Sequence, residues 1–319
     1  MPSAQRKRRT PGRLKISAVK EAFDAYLTAE RGLSAASKVS YWFTVRRFLA
    51  GCAGAQTTLD PAALEQTHVT EFLVRHASEV STRTLQTMAS ALRSFLRFLF
   101  RQGWTAMDLS TSVVAARSWR HAGLPRYLAA DDVERLVHSC DLSTPIGRRD
   151  HAILLLLARL GLRATEVVAL TLDDVDWRAG EILVRGKGKF HDRLPLPNDV
   201  GAALAAYLRL DRSRVATTRR FFLRLTGASQ AFVDGQAING VLGRALARTE
   251  VRMPAKWIGS HVLRHSLATT MIRRGASLSE IGDVLRHRSA DTTTIYAKVV
   301  LNGLRSIAKP WPLATEGRR

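Results

Sequence analysis

The chain has 319 residues, enough for two ordinary domains each with its own core, and 46% hydrophobic residues mark it as globular rather than disordered. Its 49 Lys and Arg against 27 Asp and Glu leave a formal net charge of +22. Solubility needs far less, so the excess points to a polyanionic partner, nucleic acid ahead of an acidic membrane.

Two cysteines, Cys52 and Cys140, make neither a disulfide framework nor a thiolate zinc site. The basic start MPSAQRKRRTPGRLK leads into no apolar segment and so does not read as a secretory signal. The longest apolar run, AILLLLARLGL (152–162), is broken by Arg159 and too short to span a bilayer. A reducing cytoplasm with access to DNA, and no membrane attachment, is the expected setting.

Residues 1–15 carry Arg6, Lys7, Arg8, Arg9, Arg13 and Lys15 and no acid, the pattern of a flexible tail with charge to spare for phosphates. Residues 16–105 have helical periodicity throughout. Ser34 is placed to cap a helix carrying Val39, Phe43 and Phe48. The last helix of this region has Leu85, Met88, Leu92, Phe95 and Leu99 at steps of three and four, one buried stripe. Arg93, Arg97 and Arg101 follow at steps of four on another face, either a solvated surface or, given the net charge, a track for a DNA backbone. Gly103 suits the end of that helix. Residues 106–126 lack a clear period and end in Leu-Pro-Arg; with Arg117, Arg120, His121 and Arg126 they read as a basic interdomain linker able to cross phosphates.

The second domain, 127–319, opens with helices near 129–139 and 148–160, the latter stopped by Gly161, and a short helix near 164–170. The period then falls to two: DVDW (174–177), EILVR (181–185) and RLPLP (193–197), separated by RAG and GKGK turns, predict three short antiparallel strands. Ala-rich helices follow at 200–210 and 238–248, and Ser277 with Glu280 forms a capping box after Gly275. The fold class is therefore mainly α with a small antiparallel sheet.

The run HVLRH (261–265) puts two histidines four apart around Arg264. A helical zinc site of this spacing carries a glutamate after the first histidine; Val262 stands there and no third ligand of matching context is visible, so no metal is assigned. A phosphate-binding pair and a packed pair satisfied by hydrogen bonds both remain open on spacing alone. Arg163, just before the short helix, lies where backbone N–H groups and the positive helix end favour an anion. Lys187 sits in the glycine-flanked turn RGKGK, where the backbone can approach a ligand closely.

Taken together, GLRATE (161–166), VRGKGKFHDRLPLP (184–197), HVLRHSLAT (261–269) and VLRHRSADTTTIYAKV (284–299) resemble the motifs of the tyrosine recombinases, the phage-integrase family, in the style of its Xer-like members. The resemblance covers the catalytic domain and extends more loosely over 16–126. It implies an all-helical, SAM-like core-binding domain (16–105) and an α+β catalytic domain that form a C-shaped clamp on DNA. It also implies a set of catalytic residues: Tyr296 as nucleophile, Arg163 and Arg264 as forks on the non-bridging phosphate oxygens, and Lys187 as acid for the departing 5′ oxygen. His261 would accept the tyrosine proton or bond the phosphate, and His287 would donate to a phosphate oxygen.

These residue types fit the chemistry, which needs a nucleophile, charge stabilisation at phosphorus and an acid for the leaving group. Glu166 and His265 match positions common in the family and are expected only to support the others. The family's fourth motif usually reads Leu-Gly-His; here it is Leu285-Arg286-His287.

The implied function is site-specific recombination through a 3′-phosphotyrosine intermediate, needing neither ATP nor any cofactor. The partner would be double-stranded DNA with specific recombination sites, and the assembly four protomers on two duplexes. The basic character and the KPWP tail point to integration, excision or transposition of a mobile element. Chromosome-dimer resolution, a non-catalytic relative assisting a partner recombinase and a type IB topoisomerase are the alternatives. Leu301, Leu304 and Ile307 would dock a C-terminal segment on a neighbouring or the same protomer.

Overall fold

The computed structural model describes residues 12–53, 57–114, 126–186, 191–213, 216–224, 230–253, 259–287 and 290–296. The chain divides into two compact units, Met1–Ala122 and Gly123–Arg319.

The first unit consists of α1 (Ile16–Ala29), α2 (Ala35–Ala53), α3 (Gln66–Ala77) and α4 (Thr82–Arg101). Each forms because one stripe at helical spacing is apolar: Val19, Phe23, Tyr26 and Leu27 on α1, and the five residues read from the sequence on α4, are all buried. They meet in one core, where the Phe23 and Phe95 rings pack edge to face at 5.2 Å. Ser34 Oγ accepts from the Ser37 backbone N–H at 3.3 Å, as a cap of α2 should. The buried face of α2 is nonetheless Val45, Phe48 and Leu49, while Val39 and Phe43 are exposed. Gly103 takes φ +73° after α4, and the Trp104 N–H bonds back to the Leu99 carbonyl at 2.9 Å, a left-handed helix stop.

The first unit departs from the sequence reading in three places. The first unit is not wholly helical, since β1 (Leu14–Lys15) pairs antiparallel with β2 (Thr58–Leu59). That pairing takes Leu14 and Lys15 out of the expected 1–15 tail; residues 1–11 lie outside the described residues. The expected linker begins later than 106, because a 3-10 turn at Leu109–Ser112, capped by Asp108, buries Leu109 and Val113 in the first core. A stretch too short to show a period still has apolar side chains to bury.

The second unit begins with α5 (Ala130–His138), α6 (Pro145–Arg159) and α7 (Ala164–Ala169). α6 starts three residues before the expected 148, with Thr144 Oγ1 accepting from the Gly147 N–H at 3.1 Å and Pro145 in the first turn. The run 152–158 is buried on every side, making α6 the central helix of the larger core, packed against α8 (Asn198–Leu210).

Between α7 and α8 stand β3 (Val175–Asp176), β4 (Glu181–Arg185) and β5 (His191–Pro195), an antiparallel sheet in that order with Ile182 opposite Leu194. β5 runs two residues earlier than expected because Pro197 is the cap of α8 and cannot continue the ladder. α9 (Gly235–Ala247), α10 (His261–Arg273), α11 (Leu278–Val284) and α12 (Ala290–Thr293) complete the unit, with the Ser277–Glu280 capping box in place. A 3-10 turn, Thr294–Tyr296, follows α12. No helix among the described residues is long and apolar enough to cross a membrane. The segment carrying Leu301, Leu304 and Ile307 lies outside the described residues.

Candidate active site

The site is built from three chain turns: the loop between α6 and α7, the first turn of α10, and the stretch from α11 to Tyr296. Gly161 stops α6 with φ +57°, and a Cβ there would sit 2.7 Å from Leu285 Cδ2, so glycine is favoured where the loop meets the α11 turn. Arg163 follows as the cap residue of α7, with its side chain 37% exposed. Its Nη1 donates to Glu166 Oε1 at 2.6 Å and its backbone N–H to Glu166 Oε2 at 2.8 Å. Glu166 is buried; burial opposes its charge, but the Arg163 and Arg286 contacts outweigh that and hold its carboxyl below the usual range.

α10 places His261, Arg264 and His265 on one turn, and Arg264 is only 1% exposed. Its Nη1 donates to the Gly161 carbonyl at 2.5 Å and its Nη2 to the Leu285 carbonyl. Burial, together with the neighbouring Arg163 and Arg286, pulls its pKa down to about 9. It remains a cation at neutral pH, in surroundings short of negative charge.

Tyr296 is 1% exposed, packed on Ala268, Ile281 and Leu285. Its hydroxyl lies 2.7 Å from His265 Nδ1. Burial raises the phenol to about 12, and Arg264 and Arg163 work against that rise. The His287 ring lies parallel to the Tyr296 ring at 6.3 Å, and His287 Nδ1 is 2.8 Å from Thr293 Oγ1. His261 meets His265 edge to face at 4.7 Å. Loss of water contact first, then Arg264 and Arg163, push His287 to about 4. His261 falls to about 4 as well, first from crowding by protein and then from His265 and Arg264, although its outer face stays open to solvent. His265 is lowered by burial and Arg264. All three imidazoles are therefore neutral here, and burial together with the neighbouring cations disfavours their taking up a proton.

Five of the six expected catalytic residues, Arg163, His261, Arg264, His287 and Tyr296, thus converge on one locality; Lys187 lies outside the described residues. The contact to the tyrosine hydroxyl comes from His265 rather than His261. Sequence signalled this only through the four-residue spacing, which puts both rings on one helix face and cannot say which of them meets a residue 31 positions away.

Arg286 turns its side chain inward. It holds φ +54°, the left-handed region that glycine enters freely, and its side chain is buried against Glu166. Among the described residues no group of three or more His, Cys, Asp or Glu is arranged to hold a metal ion.

The expected DNA-contact arginines separate. Arg97 is exposed on α4, whereas Arg93 Nη2 donates to the Val113 carbonyl at 2.7 Å. Arg101 is paired with Glu30 and lies over the Tyr26 ring. Arg126 is exposed just before α5; Arg117 and Arg120 lie outside the described residues.

Residues 126–301 match the phage integrase family, and residues 21–103 match the family's N-terminal SAM-like domain. The chain belongs to the phage integrase family, the tyrosine recombinases. This family member is 45% identical to an integrase/recombinase, y4rA, of Sinorhizobium fredii, over 92% of its own length and 70% of the relative's. It is 32% identical to the tyrosine recombinase XerD of Listeria monocytogenes over 91% and 96% of the two chains. Its fold matches that of a lambda integrase dimer bound to a COC′ core site (TM-score 0.66, 13% identity, 96% of this chain and 81% of that one). It also matches a lambda integrase tetramer bound to a Holliday junction (TM-score 0.63, 14% identity, 87% and 78%).

Proposed function

We propose that the chain cuts and rejoins DNA strands at specific sites, with Tyr296 as the nucleophile. The observation that carries this is a charge imbalance beside a phenol. Among the described residues, Arg163, Arg264 and Arg286 crowd round the carboxylate of Glu166, with Asp192 acting on Arg286, and Tyr296 lies within the field of Arg264 and Arg163. Buried cations in excess of acids call for an anion, and a phosphodiester is the anion a strongly basic protein meets on DNA.

In the proposed step the Tyr296 Oη–P bond forms while the P–O5′ bond breaks. The phenol proton passes to His265 Nδ1, already at 2.7 Å, and Lys187 protonates the departing 5′ oxygen. Arg163 and Arg264 hold the non-bridging oxygens, whose negative charge grows in the transition state. A phosphate entering the cluster raises the depressed imidazoles, so His287 and His261 can charge and donate to it. Attack by a 5′ hydroxyl on the phosphotyrosine reverses the step, which conserves the bond energy without ATP.

Rejoining to a different duplex needs four such sites, and a homo-tetramer on two duplexes would supply them; the lambda integrase tetramer bound to a Holliday junction supports that number. Action on DNA also sets the place of work inside the cell. The integrase/recombinase name of the 45% identical relative favours integration and excision of a mobile element over dimer resolution.

The test starts by selecting a bound site from a random duplex pool and placing a nick beside it to trap the intermediate. The wild-type chain is expected to give a covalent protein–DNA adduct, and Tyr296→Phe to bind the same duplex without forming one. A Phe variant that still forms adduct removes the proposal.

A further inference from the structure

The family's fourth motif usually holds a glycine where this chain has Arg286, and the backbone there keeps the left-handed φ of +54° that glycine would take freely. An arginine that accepts this conformation and is then buried needs a compensating set of contacts. Arg286 Nη2 donates to Glu166 Oε2 at 3.1 Å, and Nη1 reaches the Val284 carbonyl at 3.0 Å and the Leu160 carbonyl at 3.4 Å. The Nε atom is buried without a partner.

The two buried arginines therefore stitch the same two turns from opposite directions. Arg264 joins the carbonyls of Gly161 and Leu285, while Arg286 joins those of Leu160 and Val284 and adds the carboxylate of Glu166. One of these turns leads into Arg163 and the other into His287.

Building on the proposed recombinase reading, we propose that Arg286 is a positioning residue: by bracing Glu166 and the 160–163 and 284–287 turns, it sets Arg163 and His287 around the scissile phosphate. A lone Glu166 would bind Arg163 as its sole partner and hold it back from the DNA. Shared with Arg286, the carboxylate orients Arg163 through Nη1 and the backbone N–H and leaves the rest of that guanidinium for a phosphate. The groups that face Glu166 are Arg163 and Arg286, with Arg264 and His261 from α10; Asp192 of β5 acts on Arg286.

The experiment measures single-turnover cleavage of the nicked duplex across pH 5 to 8 for wild type, R286M, R286K, E166Q and the R286M/E166Q double variant, with duplex affinity and melting followed for each. R286M is expected to cleave about 10- to 100-fold more slowly, the size of a sub-ångström to 1 Å misplacement, with duplex affinity held within about twofold. Without Arg286 the Glu166 carboxyl rises, so the variant should also lose rate as pH falls toward 5, where wild type does not gain that limb. R286K, which keeps the charge but not the three contacts, should recover part of the rate. The double variant should lose less than the product of the two single effects, because part of what Arg286 does runs through Glu166.

Wild-type rate and pH profile in R286M would overturn the proposal, and so would effects that multiply in the double variant. If R286M does not melt cooperatively, R286K against E166Q and their combination carry the same comparison with the same outcomes. A wild-type chain that forms no adduct would sink the recombinase reading itself; an R286M chain as fast as wild type sinks only this inference.

Discussion

Arginine is used in two opposite ways in the two units. On α4 the residues Arg93, Arg97 and Arg101 lie at or near the surface, where Arg93 braces the Val113 carbonyl and Arg101 answers Glu30. Each keeps water around much of its charge, so none of them depends on an incoming ligand. In the second unit Arg264 and Arg286 are buried, bonded mainly to carbonyl oxygens, with one carboxylate between them and Arg163. Backbone carbonyls satisfy N–H groups without cancelling the charge, and a desolvated charge left uncancelled is costly. Burial without an acid bonded to it sets Arg264 apart from the arginines of α4, and spacing along a helix does not reveal it.

The contrast breaks most visibly if Arg264 proves dispensable. Arg264→Ala should slow cleavage by about 100- to 1000-fold, the loss of one preorganised donor to developing negative charge, and Arg264→Lys should recover little because one ammonium cannot bridge Gly161 and Leu285. Single-turnover cleavage checks both.

His265→Phe should cost about 100-fold, the loss of the group that takes the Tyr296 proton, whereas His261→Phe leaves that contact intact. Comparing the two rates under saturating DNA tests which imidazole serves Tyr296.

The anion deficit should also be visible without chemistry. His287 sits near 4 in the folded chain against 6.5 for the free side chain, so its folded pKa is depressed. The unfolded chain therefore takes up the proton first: stability present above pH 6.5 is lost as pH falls from 6.5 toward 4. Melting followed across that window should show the loss, and His287→Asn should reduce it, leaving the share that His261 and His265 contribute. Inorganic phosphate at fixed pH should raise the melting temperature, and more so in wild type than in Arg264→Ala.

The smallest effect belongs to the surface. Arg97→Ala should weaken duplex binding evenly across sequences and lower the salt slope by about 1. Arg101→Ala, already paired with Glu30, should change that slope less.

Much of this contrast was open to a reader of the sequence, and the rest was closed for physical reasons. The apolar stripe of α4, the all-apolar interior of α6 and the β-hairpin of EILVR with its partner are local patterns, and burial follows them. The convergence of Arg163, Arg264, His287 and Tyr296 came from motif resemblance, because nothing local ties positions so far apart. Two features escaped. The His265 contact with Tyr296 depends on how α10 packs on the turn after α12. Arg286 was legible as a departure, but its left-handed backbone and its grip on Glu166 arise only when the 160–163 loop lies alongside it. On α2 the sequence located the helix but not its buried face, since Val39 and Phe43 are exposed.

The most direct measurement is to digest the trapped protein–DNA adduct with trypsin and locate the nucleotide by mass spectrometry. The account predicts it on the peptide Ser289–Lys298, attached to Tyr296. Attachment to any other residue, or cleavage that leaves no covalent link to the protein, would contradict it.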